Sequence, residues 1–156
     1  MKIGVLGSGM VGQALATRLV SLGHEVTVGT RDVHKLDDWL ASVDHKARVG
    51  SFAEAAANGE VVFNATAGSG ALNALRMAGA DNLRGKVVVD ISNPLDFSRG
   101  MPPSLFVSNT DSLGEQIQQA FPEVRVVKSL NTMNANVMVN PHLVAGSSWH
   151  MSWFVE

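Results

Sequence analysis

Gly7, Gly9 and Gly12 in GSGMVG are spaced G-x-G-x-x-G between an apolar run and a helical pattern. Gly7 permits a tight turn, and Gly9 removes a Cβ so that a pyrophosphate can approach the main chain. Gly12 lets the following helix lie close to the first strand. Amide donors of the first helical turn, with the helix dipole behind them, then face the phosphate charge. The second apolar run ends on Thr30 and Arg31, at the place where an NAD site carries an acid for the ribose hydroxyls. A hydroxyl and a guanidinium fork suit a 2′-phosphate, which a carboxylate would repel, so NADP is favoured over NAD. Asp32 keeps an alternative open: shifted by one residue, it becomes the ribose acid and Arg31 a surface charge.

Three further stretches fall where an open α/β sheet binds ligand, at the carboxyl ends of strands: ATAGSG (65–70), SNPLD (92–96) and LNTMNAN (130–136). Their small side chains allow close approach to a nicotinamide ribose. Their amides bond to a carboxamide or hydroxyl without bringing charge. Each also has a structural reading, since Asn93 before Pro94 is a turn former and Ala67-Gly68-Ser69 can simply start a helix. No Ser-His-Asp or Lys-Glu arrangement is visible near these ends, and by pattern Lys128 lies inside the last strand. Oxidation of an alcohol needs a group to take the hydroxyl proton, which leaves isolated histidines such as His142 as the candidates. Hydride transfer between two cofactor rings needs mainly alignment, and the residues point that way.

The elements that must hold these ends alternate. Short β-branched runs recur at KIGVLG (2–7), EVTVGT (25–30), ARVG (47–50), VVFNAT (61–66), KVVVDIS (86–92) and VRVVKSL (124–130). Such runs suit parallel strands covered on both faces. Helical patterns lie between them. In the first, Val11, Leu15, Leu19 and Leu22 form one stripe. VHKLDDWLASV, SFAEAAANG, ALNALRMAG and DSLGEQIQQAF follow, with Gly23 and Gly79 placed as C-terminal caps and Asp111 as an N-cap. The expectation is a doubly wound parallel α/β sheet, a Rossmann fold in order 3-2-1-4-5-6. SNPLDFSRGMPPS (92–104) is the longest irregular stretch.

Composition narrows the classes. At 156 residues, 46% apolar and with a formal net charge of −2, the chain reads as one globular domain without a nucleic-acid or membrane footprint. It has no cysteine, which excludes disulfides and thiolate metal sites. His24, His34, His45, His142 and His150 show no ligand spacing, so no metal is expected. Lys2 before an apolar stretch imitates a leader peptide, but the glycines and Gln13 interrupt it too early. A soluble cytoplasmic protein is expected.

Taken together, MKIGVLGSGMVGQALATRLVSLGHEVTVGTRD, VVFNAT, VVVDISNPL and VRVVKSLNTMNANVMVNP resemble the NADPH-dependent coenzyme F420 reductases. The same features are similar to the amino-terminal oxidoreductase domain of the six-transmembrane metalloreductases. The resemblance runs from Met1 to about Gly146, giving an NADP-binding domain over 1–146 and a tail over 147–156. It implies two-electron transfer between NADP(H) and a deazaflavin (F420) or flavin (FAD or FMN). On that resemblance Gly7, Ser8, Gly9, Met10, Val11 and Gly12 hold the pyrophosphate, and Thr30 and Arg31 hold the 2′-phosphate. Ala65, Thr66 and Ala67 lie near the nicotinamide. Asn93, Pro94, Leu95, Asn131 and Thr132 border the acceptor pocket.

Family members continue where this chain turns to SSWHMSWFVE. Trp149, Trp153 and Phe154 are expected either to cover an open sheet edge or apolar patch, by dimerisation for example, or to belong to a free end. Two other activities stay open: an NADP(H)-binding or sensing module without turnover, and a dehydrogenase of small alcohols or imines.

Overall fold

The structure, a computed structural model, describes residues 1–143. The sheet contains β1 (Lys2–Leu6), β2 (Glu25–Gly29), β3 (Arg48–Gly50), β4 (Val61–Asn64), β5 (Val87–Asp90) and β8 (Arg125–Lys128). All six are parallel, in the order β3-β2-β1-β4-β5-β8, which is the expected doubly wound arrangement. Strand order reverses beside β1, so the crevice for a ligand opens at the carboxyl ends of β1 and β4.

Alternation along β1 divides the core. Ile3 and Val5 join Val26, Val28, Ala16 and Trp39 beneath α1 (Met10–Ser21) and α2 (Asp37–Ser42). Leu6 packs with Val62, Val88, Ala55, Leu75 and Ile117 on the opposite face. That face is covered by α3 (Phe52–Asn58), α4 (Gly68–Ala78), α5 (Ala80–Leu83) and α6 (Leu113–Ala120). Each fully buried valine or leucine contributes about 1.5–3 kcal/mol, and the strands read as apolar runs because both faces are covered. A third cluster joins Leu15 of α1 to Ile91, Leu130 and Met138, the last on α7 (Ala135–Val139).

Several local expectations change. Leu22 follows α1 as its C-cap and is 55% exposed, so the buried face of that helix is Gly12, Leu15 and Ala16. Ser112, not Asp111, caps α6, accepting from the Glu115 amide at 3.2 Å. Asp111 instead accepts from the Ser112 amide and from Gln116 Nε2, each within 2.8 Å. The stretch read as irregular carries β6 (Leu95–Asp96), paired antiparallel with β7 (Ser104–Leu105). The tail with Trp149, Trp153 and Phe154 lies outside the described residues. No helix among the described residues is long and apolar enough to cross a membrane.

Helix α3 starts with a capping box. Ser51 Oγ accepts from the Glu54 amide, while Glu54 Oε2 accepts from the Ser51 amide at 2.7 Å. That backbone bond, reinforced by the Ser51 hydroxyl, holds the Glu54 carboxyl below its usual range. Ser51→Ala is expected to cost about 1 kcal/mol in urea or thermal unfolding. A lowered carboxyl stabilises the fold above its unfolded pKa and loses that effect as pH falls through the lowered value. Stability of a Glu54→Gln protein, which has no carboxyl to protonate there, should therefore fall less steeply with acid than that of the parent. An unchanged acid slope would refute the link.

Candidate functional site

The glycine turn joins β1 to α1. Gly7 adopts φ 121°, a conformation that side chains rarely enter, and a Cβ there would lie 2.7 Å from the Ala65 carbonyl oxygen. A Cβ on Gly12 would fall 2.1 Å from the Gly7 oxygen, so this glycine lets α1 close onto the turn. Gly9 differs from both. Its backbone is extended, and a Cβ there would meet nothing within 4 Å. Packing does not require glycine there; it serves as the N-cap of α1, and its open side leaves room for a ligand. Helix α1 also starts bare, with no side-chain cap and no acidic residue in its first turn, whereas Ser51 and Ser112 cap α3 and α6. Met10 and Gly9 are exposed and Ser8 and Val11 half-buried, so the amides here face open space suited to an anion.

At the end of β2, Thr30 is buried and its hydroxyl is engaged within the turn. It reaches Ser8 Oγ at 3.0 Å and the Asp32 carbonyl at 3.1 Å, and it accepts from the Asp32 amide. Thr30 thus ties the β2 end to the glycine turn. Asp32 caps the short 3-10 turn Val33–Leu36 through the His34 amide, which draws its carboxylate into local structure. Arg31 is exposed and forms no ion pair among the described residues. It lines a hollow of about 270 Å³ with Phe52, Ser69, Asn73 and Met77.

A second hollow, about 260 Å³, lies on the other side of Thr66, Ala67 and Ser69, which line both. Val11, Ala65, Ile91, Asn93, Leu95 and Phe97 are among its other walls. Its floor is tight: a Cβ on Gly68 would sit 2.0 Å from the Asn93 carbonyl oxygen, so α4 starts against the Asn93-Pro94 loop. Asn93 Nδ2 donates to the Asn131 carbonyl at 2.7 Å, and Asn131 Nδ2 returns a bond to Asn93 Oδ1 at 3.1 Å. Leu130 makes this pairing possible by entering the left-handed region at φ 64°. Thr132 is exposed, and neither it nor Pro94 lines the hollow. The Ser98 amide, 2.9 Å from Asp96, holds that carboxyl below its usual range and shapes the turn carrying Phe97. His142 is exposed and lines neither hollow. A separate hollow of about 270 Å³, lined by Lys2, Glu25 and Arg48 among others, lies at the amino ends of the strands, away from the glycine turn.

One expectation about the strand ends is overturned. Lys128 is not inside its strand but ends it, and its Nζ lies 2.7 Å from Asp90 Oδ2. The run VRVVKSL is broken two residues early because Leu130 leaves the extended conformation. A lysine–aspartate pair therefore stands at the ends of β5 and β8, directly below the Asn93 loop. The pattern that could have revealed it is positional: VVFN, VVVD and RVVK each finish on a polar residue.

Comparison with known proteins places these features. Residues 2–94 match the family model for NADP oxidoreductase, coenzyme F420-dependent. Over 134 residues the chain is 34% identical to the metalloreductase STEAP3 of Rattus norvegicus, covering 86% of this chain and 25% of that protein. Over 151 residues it is 30% identical to the F420-dependent NADP reductase of Methanothermobacter marburgensis, covering 90% of this chain and 67% of that one. A crystal structure of a proposed F420-dependent NADP-reductase from Arthrobacter sp. FB24 superposes with a TM-score of 0.89 at 55% identity. That match covers 94% of this chain and 69% of the other. The chain thus spans about a quarter of the rat protein and about two thirds of the other two.

Proposed function

The chain belongs to the family of coenzyme F420-dependent NADP oxidoreductases, and from that premise we propose that it moves a hydride between NADP(H) and a deazaflavin or flavin ring. The observation that carries this reading is the pair of hollows meeting at Thr66, Ala67 and Ser69. One holds the Arg31 guanidinium, without an ion-pair partner among the described residues, beside small and polar residues and the apolar Phe52 and Met77. The other is walled by Val11, Ile91, Leu95 and Phe97 and edged by the Asn93 amide. A phosphorylated adenosine suits the first and a planar ring system the second. The bare start of α1 lies where the pyrophosphate between them would run.

The residues present fit NADP: among the described residues, no atom lies within 4 Å of where a Cβ on Gly9 would stand, which leaves the main chain there open to a phosphate. The amides from Ser8 to Gly12 would hold the pyrophosphate, Arg31 the 2′-phosphate, and Ala65 to Ala67 the nicotinamide ribose. When bound, the cofactor supplies the hydride. The chain contributes alignment, with small residues that let two rings approach and apolar walls that exclude water from the transfer.

Mixing the protein with NADPH and F420, FMN or FAD in turn, and following the nicotinamide absorbance, tests the activity. Loss of NADPH that depends on one acceptor and exceeds that with boiled protein is expected. No acceptor-dependent loss with any of the three would overturn the transfer, and NADPH binding without turnover would leave a binding module.

A further inference from the structure

We propose that a buried polar ladder across the ends of β4, β5 and β8 fixes the Thr66 hydroxyl as a hydrogen-bond acceptor for the nicotinamide-riboside half of the cofactor. The inference rests on the NADP reading above. Its partner is an N–H or O–H donor, either the carboxamide or a ribose hydroxyl.

The ladder follows from register. Asn64, Asp90 and Lys128 are the last residues of their strands and stand side by side. Asn64 and Asp90 are completely buried. Lys128 Nζ donates to Asp90 Oδ2 at 2.7 Å and also to the Ser92 carbonyl. Asp90 Oδ1 accepts from Asn64 Nδ2 at 2.7 Å and from Ser92 Oγ at 2.8 Å. Asn64 Oδ1 in turn accepts from Thr66 Oγ1 at 2.7 Å.

Every direction in this chain is determined. An ammonium has protons and no lone pair, so Lys128 only donates. Every partner of Asp90 is a donor, so its carboxylate only accepts. Asn64 must then turn its NH2 to Asp90 and its carbonyl to Thr66, where the Thr66 amide also approaches Oδ1 at 3.4 Å. The Thr66 proton is consumed inside the protein. That oxygen is left with lone pairs alone, and Thr66 lines both hollows.

Part of the ladder serves the backbone, since Asp90 and Asn64 accept the Ser92 and Thr66 amides. Stability does not demand its ionic part: replacing a buried ion pair with apolar groups of similar volume is often neutral or stabilising, and the residues just before Asn64, Asp90 and Lys128 are Phe63, Val89 and Val127. Aiming one hydroxyl at the junction of the two hollows does give a reason. Asp90 and Lys128 are thus positioning residues acting through Asn64, and Thr66 is the residue that touches cofactor.

Calorimetric titration with NADP, 2′-phospho-ADP and the 3-acetylpyridine analogue of NADP tests this. Thr66→Val should weaken NADP about tenfold, the worth of one hydrogen bond, while Thr66→Ser should not. 2′-Phospho-ADP, which lacks both the nicotinamide and its ribose, should be unaffected by either change. Asp90→Leu combined with Lys128→Met, removing the pair as a unit, should match the Thr66→Val loss, and adding Thr66→Val should cost nothing more. If the acetylpyridine analogue, which has no N–H, binds the parent protein about tenfold more weakly than NADP, the donor is the carboxamide; equal binding assigns a ribose hydroxyl. Unchanged NADP affinity in Thr66→Val, equal weakening of 2′-phospho-ADP, or additive losses would each overturn the proposal. Should the ladder double variant fail to fold, the Thr66 arms still decide it. Failure of the parent protein to bind any of the three would instead sink the NADP reading itself.

Discussion

Arg31→Ala is expected to weaken NADPH binding roughly ten- to a hundredfold and leave NADH nearly unchanged. Arg31 lines the hollow next to the glycine turn and has no ionic partner among the described residues. The competing use of this corner is occupied elsewhere, with Asp32 as the cap of a 3-10 turn, and Thr30, expected to share the phosphate with Arg31, spends its hydroxyl on Ser8 and Asp32. A hydrogen bond between charged groups contributes about 1.5–3 kcal/mol, and NADH lacks the phosphate that would receive it. Arg31 is exposed, so the melting temperature should stay where it is. Arg31→Lys should fall between, since an ammonium keeps the charge and loses the planar fork. Titrating both nucleotides into each variant decides the matter. Equal losses for NADPH and NADH would remove the 2′-phosphate role and return Arg31 to the status of a surface charge.

The fold was legible because both faces of a parallel sheet are covered. Runs such as VVVD and EVTVG have little else they can be, and glycines at a fixed spacing mark the first crossover. The glycine turn was legible for a related reason: close backbone packing leaves its signature as missing side chains. What stayed hidden depends on neighbours distant in sequence. Asn64, Asp90 and Lys128 meet only because β4, β5 and β8 are adjacent and end in the same register. The Asn93–Asn131 pairing depends on one residue, Leu130, adopting a conformation its type disfavours. Leu22 misled for a simpler reason, since the helical stripe continued in sequence past the point where α1 ends at Ser21. Ser112 took the cap from Asp111 because only one of two adjacent polar residues can hold that place, and periodicity does not say which.

The three glycines of the turn should fail differently, and Gly9→Ala is the informative one. At this position the backbone is already extended, with φ −77° and ψ 178°, and an added methyl group meets no atom of the protein. Loss of a slightly better N-cap and gain from a stiffer unfolded chain nearly cancel, so stability should change by less than about 1 kcal/mol. The methyl would nonetheless stand where a pyrophosphate must come within hydrogen-bond distance of main-chain amides. Forfeiting one such bond, about 1.5–3 kcal/mol, predicts a roughly ten- to hundredfold loss of NADPH affinity in a protein that melts normally. Gly12→Ala should behave otherwise. Its Cβ would overlap the Gly7 carbonyl, and backbone cannot swing aside as a side chain does. Overpacking of that kind costs about 1–3 kcal/mol, so stability and binding should fall together. Melting curves and NADPH titrations of the two variants, run side by side, separate a glycine kept for the ligand from one kept for the fold. Parallel behaviour, with Gly9→Ala as unstable as Gly12→Ala or as tight for NADPH as the parent, would mean that the open space above α1 is not where the phosphates lie.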